Sequence, residues 1–183
     1  MTSAASVRRV RLHEWREVRD LRIEAVGDPD ASIAFLTTTA EELARGDAFW
    51  QARTAGAAMG ESGAQFVAIV DDAWVGSATV LLREPGSRDH LGQEVVVRRA
   101  DVVGVYLSPA HRGRGILGEL FAGAAEFAAG RGTDALTLDV HTENLRAQAA
   151  YRKLGFTPTG VTFTSVIGPE LEMRRPFRAA VPG

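Results

Sequence analysis

A chain of 183 residues with 45% hydrophobic side chains has the length and apolar content of one globular domain, expected to span residues 1–183 with a core that needs no covalent staples. A formal net charge of −2 gives neither nucleic acid nor an anionic membrane an electrostatic handle, and the lack of cysteine excludes disulfides, thiolate metal sites and a cysteine nucleophile. No window approaches about 18 consecutive apolar residues and no apolar leader follows Met1, so a cytoplasmic protein is expected.

Residues 7–12 read as a short strand. Residues 14–26 read as a helix, because Trp15, Val18, Leu21, Arg22 and Ala25 recur at helical spacing before Gly27-Asp28-Pro29 stops it. Thr38 with Glu41, and Thr39 with Glu42, both fit a capping box, which predicts a helical stretch from there to about residue 58, broken at Gly46. Two β-rich runs, 66–70 and 74–82, flank Asp71-Asp72-Ala73 as a hairpin. Residues 83–94, with Pro85, Gly86 and Gly92, read as a loop before a strand best formed over 101–107. From Gly115 the apolar period changes from 2 to 3.6: Ile116, Leu117, Leu120, Phe121, Ala124, Phe127 and Ala128 share a helix face that ends at Gly130 and Gly132. A strand over 136–140, a short helix over 144–154 and two strands over 156–167 and 171–177 complete the chain. Hairpins mixed with crossovers predict an α/β protein with a mixed sheet.

The stretch with most chemical content is Val105-Tyr-Leu-Ser-Pro-Ala-His-Arg112-Gly113-Arg114-Gly115-Ile116-Leu117-Gly118. A strand feeds a glycine-rich turn that opens into a helix, so free N–H groups and the positive end of the helix dipole face outwards as an anion site. Gly113 and Gly115 leave the backbone open to a ligand, and Arg112 and Arg114 add charge that suits a diphosphate. On composition alone the same pattern also fits a plain turn with solvated arginines. No Gly-Lys-Ser/Thr follows, which excludes a Walker-type loop, and the late position in the chain argues against a dinucleotide fingerprint.

This turn resembles motif A of the GNAT acetyltransferase superfamily, and Asn144-Leu-Arg-Ala147-Gln-Ala-Ala-Tyr151-Arg-Lys153-Leu154-Gly155-Phe156 resembles the family's motif B, in the right order and after the expected strand. Leu21-Arg22-Ile-Glu-Ala25 and Leu171-Glu-Met-Arg-Arg-Pro-Phe177 are similar to the two ends of such proteins. The resemblance implies an acyl-CoA N-acyltransferase fold of about seven strands and four helices. It implies acetyl-coenzyme A as acetyl donor, with its pyrophosphate on residues 112–118 and its pantetheine arm on the backbone of Val105, Tyr106 and Leu107. It further implies Asn144 beside the coenzyme and Tyr151 as general acid toward the sulfur. Read as plain structure, Asn144 is a helix cap and Tyr151 an aromatic filling a helix face. Leu117 departs from the glycine or alanine usual in the family.

A base would accept the amine proton. Asp101 stands six residues before Leu107, where several family members carry a glutamate, and an even spacing predicts a shared strand face. It also reads as a solvated carboxylate next to Arg99. His90, Glu94 and His141 are weaker candidates. The four histidines are scattered, so no metal is expected. The resemblance implies an acceptor pocket built from residues 31–50 and 161–168; Phe35, Phe49, Trp50 and Phe163 are candidates to line it, although aromatics at such spacing are more often core. Residues 28–47 carry five acids against Arg45, a net of −4, which predicts a small cationic amine, an antibiotic-like amine or a protein amine. The activity implied is N-acetyltransfer by a monomer or homodimer without nucleic-acid or membrane partners; the alternative is a catalytically weak acyl-CoA-binding sensor or interaction domain.

Overall fold

The structure, a computed structural model, describes residues 4–89 and 92–177. Seven strands form one sheet in the order β1-β2-β3-β4-β5-β7-β6. They are β1 (Ser6–Arg9), β2 (Gly63–Val70), β3 (Ala73–Arg83), β4 (Arg99–Leu107), β5 (Ala135–His141), β6 (Thr157–Ser165) and β7 (Gly168–Pro176). Only β4 and β5 run parallel; every other pair is antiparallel. The mixed sheet is as expected. The parallel pair is where the chain crosses over through α4 (Ile116–Ala129).

Among the described residues five α-helices flank the sheet, against about four implied by the resemblance; the predicted stretch after Thr38 breaks at Gly46 as expected and gives two of them, α2 (Thr39–Leu43) and α3 (Asp47–Met59), the second capped by Gly46 in extended backbone. The Thr38–Glu41 capping box forms. The Thr39–Glu42 one does not, because Glu42 turns inwards, 2% exposed, to accept from Arg22, Arg45 and Thr37. The β2–β3 hairpin turns on Asp71 and Asp72 at φ 48° and 64°, the backbone that matches the twist of a two-residue turn.

α4 lies on one face. Its Leu120, Phe121, Ala124, Phe127 and Ala128 pack on Ala64, Ala68, Ala78, Val80, Ala100, Val102, Leu136 and Leu138, all from the same face of β2 to β5. α5 (Leu145–Lys153) joins this layer: a Cβ on Gly118 of α4 would sit 3.4 Å from Leu154, and Tyr151 lies against Phe121. The opposite face carries α1 (Trp15–Val26) and α3, with Trp15, Val18, Trp50, Val67 and Val10 as one cluster and Leu21, Ala25, Val26, Phe35 and Tyr106 as another. Among the described residues no helix is long and apolar enough to cross a membrane.

Candidate active site

The site begins with a defect in β4. Thr79 pairs with Val103 but Ser77 pairs with Tyr106, so three residue steps on β4 oppose two on β3, and Gly104 takes φ 59° to make the bulge. On its other edge β4 pairs with β5 only at Ala100↔Leu136 and Asp101↔Thr137. Beyond Asp101 the two parallel strands part, and the edge of Val103 to Leu107 that faces β5 has no strand partner. An extended ligand arm can lie there against main-chain groups.

The bulge corrects the expected alignment of Asp101 with Leu107. Ala100 and Val102 face α4 before it and Leu107 faces α4 after it, so the extra residue puts Asp101 on the opposite face. There its carboxylate, 5% exposed, accepts from Arg83 at 3.2 Å and Arg99 at 2.7 Å, and Arg99 continues to Glu172 at 2.9 Å. Both oxygens are engaged by guanidinium groups, which gives Asp101 a structural role in tying β3 and β4 together.

The turn after β4 has the form an anion site needs. Gly113 and Gly115 sit at φ 76° and 82°, and a Cβ built on either meets nothing within 4 Å. Gly115 begins α4 without any side-chain cap, and the N–H groups of residues 113–117 have no partner among the described residues. Ile116 is buried, and Leu117 packs its side chain against the core, so the larger residue leaves its own N–H clear of the groove. Gly118 lets α5 approach. Arg114 is exposed and makes no ion pair or hydrogen bond among the described residues, so its guanidinium is available to a diphosphate.

Arg112 is placed differently. Its guanidinium donates to the Leu107 carbonyl at 2.9 Å and to Asp28 at 2.7 Å, and the Asp28 side chain is only 6% exposed. It ties the turn to the end of α1. Arg112→Ala is therefore expected to cost about 1–3 kcal/mol of stability by leaving Asp28 buried without its cation, while coenzyme A affinity falls only a few-fold. Urea unfolding and calorimetry of the same sample check this; a large loss of affinity with unchanged stability would return Arg112 to the ligand.

α5 supplies the other wall. Asn144 caps it, its Oδ1 accepting from the Ala147 N–H at 3.1 Å, and its Nδ2 has no partner among the described residues. Tyr151 is 9% exposed among Phe121 and Phe156, with ring centroids 5.8 and 6.1 Å away. Its hydroxyl bonds to no described residue, and burial pushes its pKa up to about 12. Such a phenol stays protonated near neutral pH and has a proton to donate. Gln148, which sequence reasoning passed over, fixes α5 to the end of β5 by donating to the carbonyls of His141 and Thr142.

The remaining expected site residues disperse. Trp50 is fully buried beside Val18 and Val67, and Phe35 is 7% exposed under the Arg22 guanidinium, so these two are core and do not line a pocket. Phe163 on β6 is half-buried. His141 is 4% exposed, with its Nδ1 accepting from the Glu143 N–H, and Glu94 lies outside the named strands. His90 lies outside the described residues. The −4 of residues 28–47 is cancelled by partners from elsewhere: Asp28 pairs with Arg112, Asp30 with Arg146, Glu42 with Arg22 and Asp47 with Arg19. A charge count along the chain misses cations that folding brings across, so the argument for a cationic acceptor falls. No group of three or more metal-ligating side chains stands together among the described residues.

A model of the acetyltransferase (GNAT) family matches residues 24–156. Over 64 residues the chain is 39% identical to the streptothricin acetyltransferase of Streptomyces lavendulae, a match covering 35% of this chain and 34% of that protein, about a third of the relative's length. A GNAT-family acetyltransferase from Streptococcus pneumoniae superposes with a TM-score of 0.73 at 14% identity, over 95% of this chain and all of that one. The PaiA N-acetyltransferase of Thermoplasma acidophilum, solved with coenzyme A, superposes with a TM-score of 0.69 at 13% identity, over 95% and 99%. At such identities the structural likeness shows the fold.

Proposed function

We propose that this chain, which belongs to the acetyltransferase (GNAT) family, moves the acetyl group of acetyl-coenzyme A directly onto the primary amine of a small molecule. The observation that carries this reading is the uncapped start of α4, with unpartnered N–H groups over residues 113–117, standing at the end of a strand that has parted from its neighbour. A diphosphate fits the first feature and a pantetheine arm the second. The relative named for streptothricin supports a small-molecule acceptor.

When bound, the thioester supplies an activated acetyl carbonyl and a sulfur leaving group. The chain's part is to hold and to protonate. Residues 113–117 and Arg114 would carry the pyrophosphate, the free edge of Val105 and Tyr106 would align the arm, and Asn144 would donate through Nδ2. Tyr151 would give its phenolic proton to the sulfur as the carbon–sulfur bond breaks, which spares a buried site a thiolate. The amine must arrive neutral, because an ammonium has no lone pair. With Asp101 held by two arginines, the amine's proton leaves to solvent, and solvent returns a proton to the Tyr151 phenolate once the coenzyme thiol has formed.

The test is thiol release from acetyl-coenzyme A across a panel of small amines between pH 6 and 9. Release that needs an amine, and whose rate climbs with pH as the ammonium deprotonates, supports the reading. Tight coenzyme A binding with no release from any amine would leave a binding domain in its place.

A further inference from the structure

A sheet face covered by two helices is expected to be apolar, and around Val67 and Val18 it is. Beside the bulge of β4 the pattern breaks. Gln65 on β2 pairs in register with Thr79 on β3, and Ser77 lies two residues away on the same strand. With Arg22, Arg53 and Gly104 these three line a cavity of about 10 Å³, room for about one water. Gln65 and Ser77 are 7% and 6% exposed, and neither side chain has a hydrogen-bond partner among the described residues. Their polar atoms keep a little contact with solvent, so water meets them there and a ligand oxygen can take its place.

The charged residues that line the cavity, Arg22 and Arg53, are both cations. Arg53, exposed at the rim, makes no ion pair or hydrogen bond among the described residues. The charged groups that act on it are Arg22, Glu42 and Arg45, so three guanidinium groups face one carboxylate. That carboxylate is already committed, its oxygens accepting from Arg22, Arg45 and Thr37. The cavity therefore offers hydroxyl and amide donors inside and an uncompensated cation at its mouth.

We infer that this cavity receives a carboxylate of the acceptor, so that the amine acetylated belongs to an amino acid or an amino-acid-like molecule; this rests on the acetyltransferase reading above. One oxygen replaces the water and meets Ser77, Thr79 and Gln65, while the other meets the planar fork of Arg53. A phosphate carries more oxygens than so small a space admits. Gly104 links the cavity to the chemistry, because it lines the cavity and also makes the bulge in the segment where β4 has left β5. The cavity lies on the face opposite α4 and α5, so an acceptor anchored there approaches from the side that Tyr151 does not occupy.

Two measurements on the full chain test this. In the first, thiol release is compared for matched pairs, each an α-amino acid and its amide. The acid is expected to have a kcat/KM at least about 10-fold above its amide, and Arg53→Gln is expected to bring the ratio close to one, chiefly through the KM of the acid. In the second, acetate is titrated against the Gln65 side-chain amide by NMR, with acetamide as neutral control. Saturable shifts with acetate alone, lost in Arg53→Gln, are expected. Amines acetylated with no preference for the acid, or a preference that Arg53→Gln leaves intact, would overturn the inference while the acetyltransferase reading stands. No thiol release from any amine would remove that reading, and a missing acetate shift would then remove the carboxylate site as well.

Discussion

Gly115→Val is expected to reduce coenzyme A affinity by on the order of 100-fold or more, a loss of about 2.7 kcal/mol, while the protein still folds. Gly115 holds φ 82° at the start of α4, a left-handed conformation that costs an L-residue about 1–2 kcal/mol and a β-branched one more. Apart from its own chain neighbours, no described atom lies within 4 Å of the added Cβ, so the fold suffers this strain and no tertiary clash. The new side chain stands instead in the open space over the unpartnered N–H groups, where a pyrophosphate must make its closest approach. Gly113→Val, at φ 76° and equally open, is expected to behave alike. Calorimetry and thermal melting separate the two effects. Wild-type affinity in both variants would reject the turn as the coenzyme site.

Tyr151→Phe is expected to lower turnover by at least about 10-fold, within the range of roughly 10²–10⁴ that a positioned proton donor supplies, with melting temperature and coenzyme affinity close to wild type. The separation is clean because the hydroxyl bonds to no described residue, while the ring that packs on Phe121 and Phe156 is kept. The phenol's pH behaviour gives a second readout. Its pKa lies at about 12 against an ordinary 10.0, so it remains a donor through neutral and mildly alkaline solution. Turnover should climb with pH as the amine deprotonates and show no fall traceable to Tyr151 below about pH 11. The sign for stability follows from the raised value: the benefit of burying the neutral phenol is complete below pH 10 and is lost as pH rises through about 12. Unchanged turnover in Tyr151→Phe would make the residue packing.

The elements that bear the chemistry were legible where local pattern and tertiary need coincide. α4 announces itself by the change of period at Gly115, and its start is open for the same reason that its sequence lacks a capping side chain. The bulge was half legible: a glycine inside Val-Val-Gly-Val-Tyr-Leu is the usual mark of one, but strict alternation counted through it sent Asp101 to the wrong face. Partners distant in sequence were not legible at all. Nothing local joins Asp28 to Arg112, Asp30 to Arg146 or Asp101 to Arg83, and each of those pairs changed the role expected of its acid. The aromatics stood open between pocket wall and core for a related reason. Among the described residues α3 buries Trp50 and Thr54, four residues apart, and so narrow an inner face does not decide between the two roles in sequence. Gln65, Ser77, Thr79 and Arg53 are ordinary residues in sequence and become notable only when β2, β3 and α3 bring their unpaired groups to one cavity.

Direct transfer is tested most directly by stoichiometry in a single reaction with an amine that supports thiol release, measuring free coenzyme A thiol, acetylated amine and the intact mass of the protein together. Thiol and acetylated amine in equal amounts, with the protein's mass unchanged throughout turnover, are expected. Thiol released without acetylated amine, or an acetylated protein that accumulates and then decays, would contradict direct transfer.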